Sequence, residues 1–329
     1  MRISNACRFA VLGLAMLAAP AVGLAEDAQP EQLVDALNGV FGAHAKMRAA
    51  HTKGICVKGN FTPTAEAAAL SKSPQFAAPV PLVGRFSLGG GNPMASDSQK
   101  DNVRGIALHF QLPDGGVTDL LMISAPIFAA RTPEQFLELL KTVAPGPDGK
   151  QNPEKIAAFF KANPESTRQG AWLKARLTPA SYATADYFGV HTFALINAKG
   201  ERQPFKWKAT PVGGFVGLSD ADAEGKGKDF YAAELNERFA KGPVSFDLFA
   251  VLGQPGDQDD DPTSEWPADR KSVKMGTISV TGLEPSESCD VGIFDPNNLA
   301  DGVEASKNDK ILPMRSLDYA VSFGRRTTN

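Results

Sequence analysis

The sequence is poor in the residues from which many enzyme and metal sites are built. Its 329 residues contain three cysteines and four histidines, and no two histidines have the H-E-x-x-H spacing of zinc proteases. The G-x-S-x-G nucleophile elbow, the phosphate-binding P-loop and a G-x-G-x-x-G turn after a strand are missing as well. Two cysteines outside the N-terminal segment are too few for a zinc or iron–sulfur site.

Charge of one sign and long apolar runs are also scarce. Lysine and arginine total 34, aspartate and glutamate total 37, and the net charge is −3. A balanced chain has no general attraction to nucleic acid or acidic membranes, so we expect no nucleic-acid partner. Beyond residue 25 no apolar run approaches the roughly 20 residues of a membrane span. With 43% hydrophobic residues, the chain can form a large core, and a buried site is the better expectation.

The N-terminus has the pattern of a secretory signal. Residues 1–8 carry Arg2 and Arg8 without an acid, residues 9–24 are uncharged, and small residues stand at Gly23 and Ala25. We therefore expect a removed signal peptide over 1–25, one domain over 26–329, and a periplasmic or secreted protein. Cys56 and Cys289 then form either one long-loop disulfide or two separate buried thiols.

The hydrophobic pattern predicts an α+β protein. Apolar residues at helical spacing favour helices over 31–47, 132–143, 229–241 and 310–320, and another opening at Asn152-Pro153. Strands are expected over 104–112, 117–123, 190–196, 203–209, 245–252 and 273–280, with hairpin turns at 113–116 and 197–200. Because no regular βαβ repeat is present, the order predicts an antiparallel sheet or barrel surrounded by helices.

Five segments, in this order, carry a resemblance to a known family. They are RAAHTKG at 48–54, VGRFS at 83–87, VRGIALHF at 103–110, YFGVHTF at 187–193, and FDPNNL at 294–299 followed by GVE at 302–304 and RSLDY at 315–319. In order and spacing the chain resembles the haem catalase family, and within it the short, secreted catalase-related peroxidases. The resemblance runs from about Arg48 to Arg326 and implies a haem, with type b expected.

The resemblance implies that Tyr319 binds the haem iron on the proximal side. Catalase is the standard case of tyrosine-ligated haem. On a helix, Arg315 and Tyr319 lie at i and i+4 and share a face, and a neighbouring guanidinium favours the phenolate. His191 and Asp309 match the partners that hold Arg315 in this family.

On the opposite side, His51 matches the distal histidine of the family. Its expected task is to take a proton from one peroxide oxygen and return it to the departing oxygen. Ser87 matches the residue that hydrogen-bonds and orients this histidine. His44 and His109 have no such support and are interpreted as a surface and a strand residue.

Three arginines and one phenylalanine complete the expected haem contacts. Arg48, Arg85 and Arg326 correspond to the arginines that pair with the haem propionates, a natural use of a planar guanidinium. Phe136 corresponds to an aromatic side chain that stacks on the haem, although a plain role in the helix core is equally consistent with its position.

The sequence departs from typical catalases in two respects. The distal asparagine of the G-N-N-x-P segment falls on Ile123 here, which predicts weak or absent dismutation of hydrogen peroxide. The sequence also ends soon after Tyr319, so we expect most of the wrapping region and any flavodoxin-like C-terminal domain to be lacking, and a monomer or homodimer.

Three functions are compatible with these patterns. The leading hypothesis is a haem peroxidase that reduces hydrogen peroxide or organic peroxides with a small-molecule or protein electron donor. The second keeps the fold and the haem but isomerises or cleaves fatty-acid hydroperoxides. The third is a non-enzymatic periplasmic carrier of haem or an apolar ligand.

Overall fold

The computed structural model describes residues 27–290 and 292–328, so the expected signal peptide at 1–25 lies outside the described residues. The helices are α1 Pro30–Phe41, α2 Ala65–Leu70, α3 Pro133–Val143, α4 Pro153–Ala162, α5 Arg168–Lys174, α6 Asp220–Gly225, α7 Phe230–Phe239, α8 Glu287–Asp290 and α9 Ile311–Thr328. The strands are β1 Gly54–Pro63, β2 Val80–Leu88, β3 Arg104–Gln111, β4 Val117–Ile123, β5 Thr178–Pro179, β6 Tyr187–Phe188, β7 Phe193–Ile196, β8 Arg202–Pro211, β9 Gly217–Leu218, β10 Val244–Leu252, β11 Ser272–Leu283 and β12 Val303–Ala305.

The main sheet closes into an antiparallel barrel. Its strands follow the order β10-β11-β1-β2-β3-β4-β6-β8-β7-β12, and β10 also pairs with β8. Eight strands of the described chain, from β10 through β11, β1, β2, β3, β4 and β6 to β8, therefore form a ring. Closure leaves no free edge within that ring, and β7 and β12 extend the sheet beside β8.

Alternation along the strands separates an inner face from an outer face. Phe86 of β2 and Phe246 of β10 point into the barrel and are fully buried. There the ring of Phe86 stacks on that of Tyr182, with centroids 5.4 Å apart. Arg85 and Ser87, on either side of Phe86 in β2, point outward as the period of two requires, yet they are buried as well. The outer face of β2 is therefore covered by other parts of the chain.

Helix α8 packs against β2, and helices α1 and α9 line the cleft that lies over this face, with α3 packed behind α1. Leu33 and Leu37 of α1 pack with Leu137 and Leu140 of α3, and Met314 of α9 packs against the same cluster. The helix α1 ends at Phe41 rather than at 47, because Gly42 has a φ of 85° that continues no helix.

Most elements lie where the hydrophobic pattern predicts them, and the expected α+β barrel is confirmed. The strand over 117–123 agrees to the residue, and Thr132 caps α3 by accepting a hydrogen bond from the backbone N–H of Gln135. The pattern did not predict β1 and β2, two neighbours in the barrel, and they carry much of the site. Among the described residues, no helix is both long enough and apolar enough to cross a membrane.

A disulfide joins the barrel to the segment before the last helix. Cys56 of β1 bonds to Cys289 of α8, with Cα atoms 5.9 Å apart and a sequence separation of 233 residues. Of the two states that the sequence left open, the cysteines therefore form one long-loop disulfide rather than two separate thiols.

Candidate functional site

Parts of two neighbouring rows of paired strand residues form the floor of a cleft on the outside of the barrel. Pairing across five strands places Gly54, Ser87, Gly105, Ile123 and Phe188 side by side in one row. The next row, two residues further along, contains Cys56, Arg85, Ala107 and Leu121. Because side chains two residues apart share a face, both rows present their side chains to the outside of the barrel.

The cleft lies between this floor and helix α9. It encloses about 930 Å³ including its open mouth. Val34 and Leu37 of α1 form one apolar end wall. The other wall and the rim come from α9 and from two loops, with Arg315, Asp318, Tyr319, Ser322, Arg326, Arg48, His51 and Phe294.

His51 lies on the barrel side of the cleft in a strained backbone conformation. Its φ is 53°, in the left-handed region that few non-glycine residues adopt. Its Nδ1 lies 2.9 Å from Oγ of Ser87, and its carbonyl oxygen accepts a hydrogen bond of 2.6 Å from Nη1 of Arg85. The structure thus brings together the histidine and serine that the sequence paired.

Burial and nearby positive charge keep His51 neutral. Desolvation lowers its pKa to about 3, with further contributions from the charges of Arg85, Arg315 and Arg48. A neutral imidazole has one nitrogen free to accept a proton. With Nδ1 engaged by Ser87, Nε2 is the nitrogen available to a ligand in the cleft.

Gly105 leaves the space for this pair, a role that the sequence pattern did not reveal. A Cβ atom at this position would lie 2.8 Å from Oγ of Ser87 and 2.9 Å from Nδ1 of His51. Such contacts are too short for a side chain, so glycine is required beside the histidine. The only available signal was its place within the VRGIALHF segment.

Tyr319 faces the cleft from helix α9 and accepts two hydrogen bonds from one arginine. Nε and Nη2 of Arg315 lie 3.1 and 2.6 Å from the phenol oxygen. Burial raises the pKa of Tyr319, whereas the charge of Arg315 acts to lower it. An oxygen that accepts from two guanidinium N–H groups is suited to bear negative charge, and its remaining lone pair can bind a metal.

His191 and Asp309 form a buried pair at the start of the same helix. Nδ1 of His191 lies 2.6 Å from Oδ2 of Asp309. The other carboxylate oxygen accepts hydrogen bonds from the backbone N–H groups of Ile311 and Leu312, at 2.9 and 3.0 Å. Although burial opposes it, these bonds lower the pKa of Asp309. Asp309 therefore fixes the beginning of α9, the helix that carries Arg315 and Tyr319. The positive charge of Arg315 contributes to lowering the pKa of His191, after the larger effect of burial.

Three arginines, Arg48, Arg85 and Arg326, line the rim of the cleft. Arg48 pairs with the carboxylate of Asp290 and donates to the carbonyl of Cys289 at 2.8 Å. Arg326 donates to the carbonyls of Asp290 and Gly292 at 3.1 and 2.9 Å.

The arginines repel one another, which favours an anionic ligand. Burial and then the charge of Arg48 lower the pKa of Arg85 to about 10, and the same two causes lower that of Arg326 to about 10. A ligand with carboxylates would relieve this repulsion.

The donor set fits a haem. The walls are mostly apolar, a tyrosine oxygen held by a guanidinium faces a neutral histidine across the cleft, and a cationic rim can receive two propionates. Among residues 27–290 and 292–328, no group of three histidine, cysteine, aspartate or glutamate side chains offers a competing metal site.

The position that the sequence predicts to replace the distal asparagine of catalases carries an apolar side chain. Ile123 lines the cleft, in the same row of the barrel as Ser87. No asparagine or glutamine is found among the described residues that line the cleft. A peroxide bound beside His51 would therefore meet no amide donor among the described residues of this row.

Phe136 lies away from the cleft. Its ring packs against Phe128 with centroids 5.1 Å apart, and it contacts the cluster between α1 and α3. It is not among the residues that line the cleft, whose aromatic members besides Tyr319 are Phe188 and Phe294. The reason is that the apolar side of α3 packs on α1 rather than on the barrel.

Asp318 is a cleft residue that the sequence analysis did not single out. Burial raises its pKa to about 7, and its Oδ1 has no hydrogen-bond partner among the described residues. Only its position next to Tyr319 in RSLDY could have drawn attention to it.

Comparison with known proteins agrees with the site. The sequence profile of the family described as Catalase matches residues 29–328. The chain belongs to the catalase family. It is 39% identical to the catalase-related peroxidase of Synechococcus elongatus, over 99% of this chain and 96% of that protein. It is 38% identical to the catalase-related peroxidase of Mycolicibacterium paratuberculosis, over 91% of this chain and 95% of that protein.

Solved catalases share the fold of this family member. A fungal catalase superposes with a TM-score of 0.77 at 22% identity, covering 87% of this chain and 60% of the fungal chain. A bacterial catalase superposes with a TM-score of 0.76 at 24% identity, covering 93% of this chain and 64% of the other. The barrel with its surrounding helices is thus the part that the chains have in common.

Proposed function

We propose that this protein is a haem peroxidase related to catalase, which reduces hydrogen peroxide or organic peroxides with an external electron donor. One observation carries the proposal: the oxygen of Tyr319, held by Arg315, faces the His51–Ser87 pair across a cleft with a cationic rim. Two relatives of similar length are named catalase-related peroxidases, which supports the same activity.

The residues on the two sides of the cleft have separate tasks. Tyr319 would bind the iron as a phenolate, with Arg315 stabilising its charge, while Arg48, Arg85 and Arg326 would bind the propionates. When bound, the haem would supply the two electrons that reduce the O–O bond, and the external donor would restore them. His51 would accept the proton of one peroxide oxygen at Nε2 and deliver it to the departing oxygen, which leaves as water or an alcohol. Ser87 holds the imidazole ring in the orientation for this transfer.

Ile123 favours peroxidase over catalase activity. Dismutation requires a second hydrogen peroxide to be positioned beside His51, and an isoleucine offers no hydrogen bond for this purpose. An organic peroxide gains apolar contacts from the same side chain. We therefore place the external donor, rather than a second peroxide, as the source of electrons.

The haem type, the compartment and the assembly belong to the same proposal. Cys56 and Cys289 are joined to each other, so neither is free for a thioether link, which supports non-covalent haem b. A disulfide is typical of an oxidising compartment and supports a periplasmic or secreted protein. We propose a monomer or homodimer, to be checked by light scattering of the purified protein.

The test is the absorption spectrum of the purified protein before and after peroxide, recorded with and without a reducing dye. We expect a haem spectrum, oxidation of dye in proportion to peroxide consumed, and little oxygen at an electrode. A colourless protein that stays colourless with hemin would overturn the proposal. Rearrangement of a fatty-acid hydroperoxide without dye oxidation would instead identify an isomerase, and tight haem binding without peroxide turnover would identify a carrier.

A further inference from the structure

One short segment after the barrel holds two of the rim arginines in place. Arg48 pairs with the carboxylate of Asp290 and donates to the carbonyl of Cys289. Arg326 donates to the carbonyls of Asp290 and Gly292. All four acceptors thus lie within residues 289–292. The directions of both guanidinium groups depend on where this segment lies.

The segment has little intrinsic stability of its own. Its helix α8 has only four residues, fewer than an isolated helix needs. The side chain of Asp290 is 46% exposed, so packing of that residue does not fix it. The Cys56–Cys289 disulfide, by contrast, is a covalent bond to strand β1, and both cysteines are buried.

The point of attachment on the barrel lies directly beside the floor of the cleft. Cys56 pairs directly with Arg85 in the adjacent strand. The disulfide therefore joins Cys289, next to Asp290, to the row that carries the third arginine. One covalent bond thus links the acceptors of Arg48 and Arg326 to the neighbour of Arg85.

We propose that the Cys56–Cys289 disulfide is a positioning element for the anion-binding rim, which keeps Arg48 and Arg326 directed at the two carboxylates of the bound porphyrin. Arg48 and Arg326 are repelled by each other and by Arg85, and they would move apart if the carbonyls that accept from them could move. Fixing those carbonyls keeps the rim preorganised, so less conformational freedom is lost when the carboxylates bind. This inference rests on the proposed function in one respect, namely that the ligand is a haem.

The experiment measures how fast the full-length holoprotein loses its ligand to excess apomyoglobin. It compares wild type with C56A/C289A, each reconstituted either with haem or with haem dimethyl ester, whose carboxylates are blocked. If the disulfide positions the arginines, the double variant should lose haem about 10- to 100-fold faster, the equivalent of one charge-assisted hydrogen bond. The dimethyl ester should dissociate from both proteins at similar rates, within about threefold, since it has no carboxylate for the rim.

A matched control separates positioning from packing. Val83 packs in the same small cluster as Cys56, Cys289 and Phe294, so V83A disturbs this packing without breaking the covalent link. We expect V83A to change the dissociation of haem and of its ester by the same small factor. If C56A/C289A does not fold, the same rates are measured on folded wild type after phosphine reduction of the disulfide, with the two free thiols verified by mass spectrometry.

Two results would overturn the inference. Equal haem dissociation with and without the disulfide would show that the rim does not depend on it. Equal acceleration of haem and ester would show a general loosening of the fold. Failure of the proposed function has a different signature, because wild type itself would then retain neither haem nor ester, and the positioning role would be rejected with it.

Discussion

Replacing Arg315 with glutamine tests the proximal side of the site directly. The guanidinium donates two hydrogen bonds to the oxygen of Tyr319, at 3.1 Å from Nε and 2.6 Å from Nη2. Its charge also opposes the effect of burial, which raises the pKa of Tyr319. In R315Q both the positive charge and the two-point contact are lost. The phenol then keeps its proton more strongly and binds ferric iron less well.

The expected loss follows from the two contacts. A hydrogen bond to a charged group contributes about 1.5–3 kcal/mol, so two such bonds set an upper limit of about 3–6 kcal/mol. Glutamine restores one neutral hydrogen bond, and the loss of outer contacts to a metal ligand usually costs 10- to 100-fold in metal affinity. We therefore expect haem affinity to fall by about 10- to 100-fold, the equivalent of about 1.4–2.8 kcal/mol.

In the assay, haem is titrated into the haem-free protein, and binding is measured by the change in absorbance. R325Q is the matched control, because Arg325 lies on the same helix and pairs with Asp35, at 2.6 Å, away from the phenol. We expect R325Q to bind haem like wild type, and R315K to lie between wild type and R315Q, since lysine keeps the charge but not the fork.

The reasoning would be refuted by one outcome above all. If R315Q bound haem with wild-type affinity and showed the same tyrosinate charge-transfer band, the guanidinium would have no part in making Tyr319 a ligand. If R315Q and R325Q weakened binding equally, the effect would come from the helix as a whole.

Four further predictions concern single side chains. Y319F should abolish the tyrosinate charge-transfer band and most haem retention, and an unchanged spectrum would disprove the ligand assignment. H51A should keep its haem but react with peroxide roughly 10²- to 10⁴-fold more slowly in stopped-flow measurements, the usual contribution of an acid–base group; an unaltered rate would remove His51 from the mechanism. I123N should raise oxygen evolution relative to dye oxidation, and an unaltered ratio would argue against a role for this position. D318N should raise the thermal midpoint of the haem-free protein above pH 7 but not near pH 4. The reason is that Asp318 has a pKa of about 7 when folded against an ordinary value of 3.8. The unfolded state therefore gives up this proton first, and stability falls as pH rises from about 4 to 7; equal midpoint changes at both pH values would contradict this.

The sequence was a better guide to local structure than to the neighbours of each side chain. The strand over 117–123 and the capped helix after Thr132 follow from alternation and capping, which are properties of a few adjacent residues. Strands β1 and β2 were missed because each contains glycine and proline, such as Gly59 in β1 and Pro81 in β2, and these residues weaken the sequence pattern of a strand. Phe136 shows the same limit, since its helical period predicts a buried face without saying which element covers it.

The state of the two cysteines could not be deduced from spacing. Cys56 and Cys289 have a sequence separation of 233 residues, so no local rule relates them. Only the packing of α8 against the outside of the barrel brings the sulfur atoms together. The same holds for Asp290, whose contact with Arg48 depends on that packing.

By itself the sequence determined the chemistry that is available: one tyrosine four residues after an arginine, a histidine in RAAHTKG, an isoleucine in place of an amide, and a balanced charge. These are properties of residue type and short spacing, which the linear order preserves. The tertiary structure decided which of these groups meet. Strand pairing places Ser87, Gly105 and Ile123 in one row, and helix α9 lies across the cleft from that row. The physical reason is that pairing between strands and burial of apolar faces act over long sequence separations, which no local pattern specifies.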